Sequence, residues 1–416
     1  MGFIVQPIYQ INSIYRPVFY RSSIANTNLA YATVDVFLDG TLIANKLQPV
    51  ARINGANSEF DIDISRDLQL ALGTRFNDSV FLNTKNSIFP IFANVALVAE
   101  NPENTGTTTI TVTYYEYDAN NLPVVLSTES TQPRTVAIAT RQATDDPDLS
   151  QYRQDGINPK DILTRRVKGN YFGPDSSDRT DIKEDQDLFF SFYNDGTINC
   201  VEVQAFYTNQ APQVYNGELA GLNTLQCTVG VGIKNLEALP YFATPFGGDN
   251  VTHYSVTLGT YDRGTFTIKT ATYWFNVVCQ KEDSLTVIWM NDLGGGESYT
   301  FQSEVVQSLT SKGTFAKRAL PLFSGGVVSK FDTSRFKYNN TASLVQYKCK
   351  SQHLNHFEAE YIKTLITTME CYINIGGLYY QAQIEDATFD VDINIQHYTV
   401  LELTITRSID EYSMIR

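Results

Sequence analysis

The sequence predicts a mainly β protein, built from antiparallel β-sandwich domains with one α-helix packed on the C-terminal domain. Three observations carry this. Apolar and polar residues alternate over short runs such as ITVTYYEY and LELTITR, the period of a half-buried strand. Turn pairs rich in Gly, Asn and Asp punctuate those runs at short intervals, which is the sandwich pattern and not the βαβ one. The 25 Tyr and 24 Phe, with abundant Thr, Val and Ile, suit pleated surfaces better than long helices.

The elements follow in order. Residues 1–20 read as an N-terminal arm or edge strand, extended at Val5 to Tyr9 and Ile14 to Tyr20, with Pro7 and Pro17 interrupting any ladder. A β domain spans 21–127. In it YATVDVFLDGTLIA (31–44) is a hairpin over Asp39-Gly40, a pair suited to primed turns. SEFDIDISRDLQLAL (58–72) is a strand running into a short helix, and IFPIFANVALVAE (88–100) and TTTITVTYYEYDA (107–119) are strands. Residues 128–187 are an acidic, largely irregular connection. Its Asp-rich runs lack the ligand spacing and central glycine of a calcium loop, so they read as surface loops.

A second β domain spans 188–310. It opens with a hairpin at 188–209 turning on Asn194, Asp195 and Gly196, and continues through strands within 225–239, 253–278 and 285–301. The C-terminal β domain, 311–416, carries a helix at 355–369. Asn355 caps it with Glu358 at N3, and Phe357, Tyr361 and Leu365, joined by Ile362 and Ile366, form its apolar stripe. A hairpin over Gly376-Gly377 and the strands ATFDVDI (387–393) and HYTVLELTITR (397–407) close the domain.

Composition narrows the function. A net charge of −14 opposes broad nucleic-acid binding, which depends on neutralising phosphates. A local basic stretch runs from Lys312 to Lys350 through Lys317, Arg318, Lys330, Arg335, Lys337 and Lys348. It reads as a solvated strand surface or as a charged docking face for another protein. Five cysteines, Cys200, Cys227, Cys279, Cys349 and Cys371, lie far apart with no CxxC unit, the pattern of reduced, partly buried thiols. The start MGFIVQPIYQINSIYR lacks a signal peptide's basic and apolar regions, Gln6 breaks the myristoylation motif, and no apolar run suffices to cross a bilayer.

No chemistry-bearing motif emerges. In IWMNDLGGGESYTF (288–301) the three glycines precede Glu297 where a phosphate loop needs Lys and Ser or Thr, so the segment reads as a tight turn between antiparallel strands. His353, His356 and Glu360 fall at helical spacing, but the cap at Asn355 leaves His353 outside the helix and further metal ligands are not apparent. The other histidines, His253 and His397, sit in no nucleophile motif, and G-x-S-x-G does not occur. The carboxylate pairs Asp145/Asp146 and Asp61/Asp63 have no assigned role, and the second is the wet side of a strand. No catalytic, cofactor-binding or metal residue is assigned, no cofactor is called for, and the chain is expected not to be an enzyme. Tyr114, Tyr115 and Tyr117, and Tyr379 and Tyr380, sit side by side on strands and suit a protein interface or a sugar platform.

Those patterns resemble structural, tail-associated virion proteins of phages infecting Bacteroidetes. The resemblance rests on IWMNDLGGGESYTF, on FEAEYIKTLITTMECYINIGGLYYQAQIEDATFDVD, and on VDVFLDG in the first domain, together about half of the chain. It implies a β-rich module of the tail, connector or baseplate region, made in the host cytoplasm and assembled into the virion. The implied partners are copies of itself in a ring or other symmetric oligomer and other virion proteins, with no membrane and no specific nucleic-acid contact. The long acidic 128–187 segment departs from the pattern. A carbohydrate-binding adhesin or host-recognition module is the alternative, and a glycoside hydrolase a more distant one.

Overall fold

The computed structural model describes residues 2–7, 9–48, 52–72, 98–100, 105–139, 148–154, 158–169, 179–184, 186–219, 222, 225–237, 251–278, 284–317, 320–324, 327–332, 335–352, 354, 356–368, 371–375, 378–388 and 400–407. The fold is mostly β, as the alternating runs predicted.

The first eleven strands are β1 (Gly2–Val5), β2 (Ile11–Ser13), β3 (Phe19–Ile24), β4 (Leu29–Leu38), β5 (Thr41–Gln48), β6 (Arg52–Asn54), β7 (Asn57–Asp63), β8 (Val98–Glu100), β9 (Thr105–Tyr117), β10 (Pro123–Ser130) and β11 (Arg134–Ala137). One sheet has the order β1-β3-β7-β6 and a second the order β2-β11-β9-β4-β5, with β10 beside β9. Alternate residues of β4 and β9 (Val34, Val36, Ile110, Val112, Tyr114) meet Tyr20, Phe60 and Ile62 of the other sheet in one core. The hairpin over Asp39 and Gly40 forms as predicted. Both residues have positive φ, 49° and 77°, the geometry of a primed turn. Helix α1 follows β7 over residues 65–72.

Segment 1–20 takes the second of its two readings, arm or edge strand, since β1 and β2 each lie at the edge of a sheet. Its Ile11, Ile14, Val18 and Tyr20 are buried at 0–2 % exposure, because β2 pairs in parallel with β11 while β3 lies between β1 and β7. Four apolar side chains in the core outweigh the interruptions at Pro7 and Pro17, which fall between the strands. Of the expected strand at 88–100, only β8 lies within the described residues, and it joins a different sheet from its neighbours β7 and β9.

The next strands are β12 (Thr180–Lys183), β13 (Phe189–Tyr193), β14 (Cys200–Tyr207), β15 (Gln213–Glu218), β16 (Gln226–Gly230), β17 (Val251–Asp262), β18 (Thr265–Ile268) and β19 (Tyr273–Val278), with a short helix α2 (Ile233–Glu237). A six-stranded sheet, β12-β19-β17-β14-β15 with β18 beside β17, faces a small sheet β13-β16-β8 across a second core. The predicted 188–209 hairpin is an arch. β13 pairs with β16 while β14 pairs with β15 and β17, so the chain crosses between sheets at 194–199. Every residue of β13 is buried, which a strand packed on both faces requires and a solvent-faced hairpin does not.

The last strands are β20 (Ser284–Met290), β21 (Gly296–Lys317), β22 (Leu320–Ser324), β23 (Val327–Asp332), β24 (Arg335–Lys350), β25 (Cys371–Ile375), β26 (Leu378–Thr388) and β27 (Glu402–Arg407). Six of them close into a barrel, β20-β21-β24-β27-β26-β25. The expected division at 310/311 falls inside β21, and the barrel begins at Ser284. β20 is buried along nearly its whole length because both faces are covered. Leu285, Val287 and Trp289 join the barrel core, while Ile288 and Met290 join the core of the first sandwich.

Helix α3 (His356–Lys363) lays Tyr361 and Ile362 onto the barrel core, and Leu365 packs there from the turn that follows. It is shorter than the expected 355–369. After Lys363 the chain tightens into bonds of three-residue spacing, Leu365 N–H to Ile362 O at 2.9 Å and Ile366 N–H to Lys363 O at 3.1 Å. Thr364, Ile366, Thr367 and Thr368 are β-branched, and the Thr364 hydroxyl donates to the Tyr361 carbonyl at 2.6 Å. The tighter turn swings Ile366 out to 39 % exposure, so it leaves the stripe to which its spacing assigned it. The cap Asn355 and the turn Gly376-Gly377 lie outside the described residues; β25 and β26 do pair as a hairpin.

Candidate assembly site

The Gly-rich turn is the buried hub on which the molecule's segments meet. Asn291 organises it. Its backbone N–H donates to Gly295 O at 2.8 Å, and its Oδ1 accepts from the N–H groups of Leu293 and Gly295 at 2.9 and 2.8 Å. Gly294 has φ +83°, and a Cβ on it would stand 2.3 Å from Ile138 O. Gly295 needs its missing side chain for a different reason: a Cβ there would stand 2.0 Å from Leu163 O. The turn predicted between β20 and β21 is therefore present, but it is packed from both sides instead of facing water.

Charges from the acidic connection close over this turn. Arg166 and Glu297, whose side chains are 1 % and 0 % exposed, pair at 2.7 Å between Nε and Oε2. Arg166 also donates to the Ser298 carbonyl, and its guanidinium lies 4.3 Å from the centre of the Tyr361 ring. Burial alone would lower the pKa of Arg166; Tyr361 and Glu297 more than offset that and raise it. Glu297 accepts as well from Asn291 Nδ2 at 3.1 Å and from the Thr164 hydroxyl. Arg165 holds Asp292 in a forked contact, 2.7 Å from Nη2 and 3.1 Å from Nε. Nearby, the buried Asp187 accepts from Asn235 at 2.7 Å, from Lys234 at 3.2 Å and from the Tyr379 hydroxyl of β26.

These carboxylates accept from donors that lie far apart in the chain. The arrangement fixes β21 against the second sandwich and the barrel against both. The sequence offered little signal for it, since Arg166 and Glu297 are 131 positions apart.

β21 carries that fixed direction outward. It pairs with β20 only as far as Gln302, and β24 pairs with β27 only from Gln346 onward. Between those limits β21 and β24 continue as a two-stranded ribbon of eleven register pairs, Gln307 with Val345 through Lys317 with Arg335. At about 3.4 Å per residue that is roughly 35 Å of ribbon. A separate small hairpin, β22 with β23, stands at its end. Among the described residues no third strand flanks the ribbon. The basic stretch predicted from sequence coincides with it. Lys312 to Lys350 holds eight basic residues and one acid, Asp332, a net +7 in a chain of −14, which leaves −21 elsewhere.

The other predicted candidates separate. His253 is stacked on Phe206, ring centres 4.4 Å apart, and burial together with Arg179 lowers its pKa. His353, His397, Asp145, Asp146 and Cys279 lie outside the described residues, and the side chain of His356 is not among those described; Glu360 is exposed. Among the described residues no group of three or more His, Cys, Asp or Glu could hold a metal ion. Asp61 pairs with Arg21 on the open side of β7, and Asp63 accepts from Ser65 N–H at 2.9 Å where α1 begins. Cys200, Cys227, Cys349 and Cys371 are buried, and burial pushes the Cys349 thiol up to about 12. The tyrosine clusters split by face as alternation requires. Tyr114 is core, Tyr115 stacks on Tyr31 at 4.6 Å, and Tyr117 is 57 % exposed. No helix among the described residues is long and apolar enough to cross a membrane, which leaves open what a β-barrel can do.

No family model matches the chain, and no curated protein matches it. Among solved structures it is weakly similar to a chain from the tail of an empty GTA particle computed with helical refinement and C6 symmetry. That match has 11 % identity and a TM-score of 0.19, and covers 31 % of this chain and 94 % of the other. A marsupial T cell receptor chain matches at 10 % identity and a TM-score of 0.20, covering 85 % of this chain and 97 % of the other. At such scores neither comparison bears on function.

Proposed function

We propose that this chain is a structural component of a phage virion, of the tail, connector or baseplate region, and that it acts through protein–protein contacts and not through catalysis. The ribbon formed by β21 and β24 carries this reading. A two-stranded hairpin is marginal in water on its own, and one about 35 Å long that no third strand flanks among the described residues gains stability when a partner supplies strands or side chains along it. The buried Arg166–Glu297 pair and the turn at 291–295 support it by holding the ribbon's root rigidly. The resemblance of the sequence to tail-associated virion proteins agrees with such a part.

Replacing residues 307–345 with Asn-Gly joins Val306 to Gln346 through a two-residue turn and removes the ribbon together with the β22–β23 hairpin. The shortened chain should keep the melting temperature of the barrel and fail to enter virions, read as its occupancy in purified particles. Wild-type occupancy of the shortened chain would overturn the proposal.

A further inference from the structure

The outer face of the six-stranded sheet carries an ordered row of polar and aromatic side chains. Ile182, Val203, Ala205, Tyr254, Val256, Tyr273 and Phe275 fill the second core, so their neighbours along β12, β14, β17 and β19 point the other way. Register places Asp181 of β12, Asn276 of β19, His253 of β17 and Phe206 of β14 side by side across four adjacent strands. At about 4.8 Å between strands the row is roughly 14 Å long. Trp274 stands beside it on the same face of β19. Its partner across the ladder is Ser255, which is paired in turn with Gln204. A small, buried serine between two long side chains gives the face a shallow trough.

These side chains hold one another in place. Arg179 donates to Asn276 Oδ1 at 3.4 Å, and Asn276 Nδ2 donates to Asp181 Oδ1 at 3.2 Å. The Arg179 guanidinium also lies 5.9 Å from the centre of the Trp274 ring. His253 lies flat on Phe206, with 7° between the ring planes, and the Thr252 hydroxyl meets its Nδ1 at 2.9 Å. Trp274, Asn276, His253, Asp181, Arg179 and Gln204 are each partly exposed. Asp181 and Arg179 balance in charge, and the lowered pKa of His253 keeps it neutral near pH 7.

We infer that this face binds a neutral oligosaccharide, one sugar ring lying on Trp274 and the next ones along the row towards His253. A pyranose has a face of C–H groups and a rim of hydroxyls. The indole takes the first, and the amide of Asn276, the carboxylate of Asp181 and the guanidinium of Arg179 take the second in paired hydrogen bonds. An apolar protein surface laid here would leave those polar groups without partners, and an anionic polymer would meet no excess of positive charge. The inference goes beyond the assembly reading and does not depend on it, since no residue of the row belongs to the ribbon or to the Gly-rich turn.

The test presents the purified full chain to an array of immobilised neutral and anionic glycans, then titrates the chain with each bound glycan in free form. The chain has two tryptophans, and Trp289 is buried in the barrel core, so a sugar stacked on this face shifts the emission of Trp274. Trp274→Ala and Asn276→Ala should each weaken binding about tenfold or more, while Trp274→Phe, which keeps a ring, should still bind on the array. Should Trp274→Ala lower the melting temperature, Asn276→Ala decides in its place. Tyr117→Ala, which removes an exposed aromatic ring from the first sandwich, is the control and should bind as wild type. Binding to no neutral glycan overturns this inference, and so does binding to anionic glycans only. Wild-type affinity of a stably folded Trp274→Ala or Asn276→Ala chain, or equal loss from Tyr117→Ala, overturns it as well. None of these outcomes touches the virion-occupancy result, which reads the ribbon.

Discussion

Glu297→Gln tests the hub most directly. The substitution keeps the shape of the side chain and removes its charge. In the native protein Glu297 faces Arg166 at 2.7 Å with both side chains out of water. With glutamine, the guanidinium is left buried without a counter-charge, and one end of the new amide meets groups that are themselves donors, Asn291 Nδ2 and the Thr164 hydroxyl or Arg166 Nε. Breaking one side of a buried pair costs about 3–5 kcal/mol. Arg166→Met, which strands Glu297, should cost about the same. The double change Arg166→Met with Glu297→Gln removes both charges together, so its cost should fall below the sum of the two by about 1–3 kcal/mol. Urea unfolding followed by the fluorescence of Trp289, which lies in the barrel core, reads all three. A loss under about 1 kcal/mol for Glu297→Gln, or strict additivity in the double variant, would refute the claim that this pair locks the segments together.

Gly295→Val should destabilise the protein by about 1–3 kcal/mol through overpacking against Leu163, seen as a lower melting temperature, and calorimetry with ATP and magnesium should show no binding at the turn. Leu365→Ala should cost about 2–5 kcal/mol, since Leu365 is fully buried on the barrel core, while Glu360→Ala on the open side should stay within about 0.5 kcal/mol. The acid limb of stability should include the first sandwich. Arg21 holds Asp61, and Arg52 with Asn54 holds Glu59, at pKa values below those of the unfolded chain. Their contribution is therefore complete above the ordinary carboxylate range of about 4 and is lost as pH falls through the lowered values. Asp61→Asn should flatten that limb in melting curves taken downward from pH 5.

The sequence by itself determined the local alphabet of this protein. Alternation in ITVTYYEY put Tyr114 inward and left Tyr117 outward, because successive side chains on a strand must face opposite ways. Asp39-Gly40 set a primed turn because both residues tolerate positive φ. The stripe Tyr361, Ile362 and Leu365 marked the helix that covers the barrel, and the basic residues from Lys312 to Lys350 marked the ribbon. Tertiary structure alone decided which sheet each strand joins. β13 and β14 are separated by six residues, as a hairpin could be, yet packing of β13 on both faces sends them to different sheets. Burial of Ile11, Ile14, Val18 and Tyr20 turned an apparent arm into sheet. The three glycines show the limit most clearly. Their neighbours in sequence called for a turn, and a turn is there. Its need for glycine comes from Ile138 and Leu163, and the charge of Glu297 is matched by Arg166, all brought in from more than a hundred positions away. Periodicity reports which face of a segment avoids water over a few residues; it carries no record of what covers that face, because the covering surface belongs to a distant part of the chain.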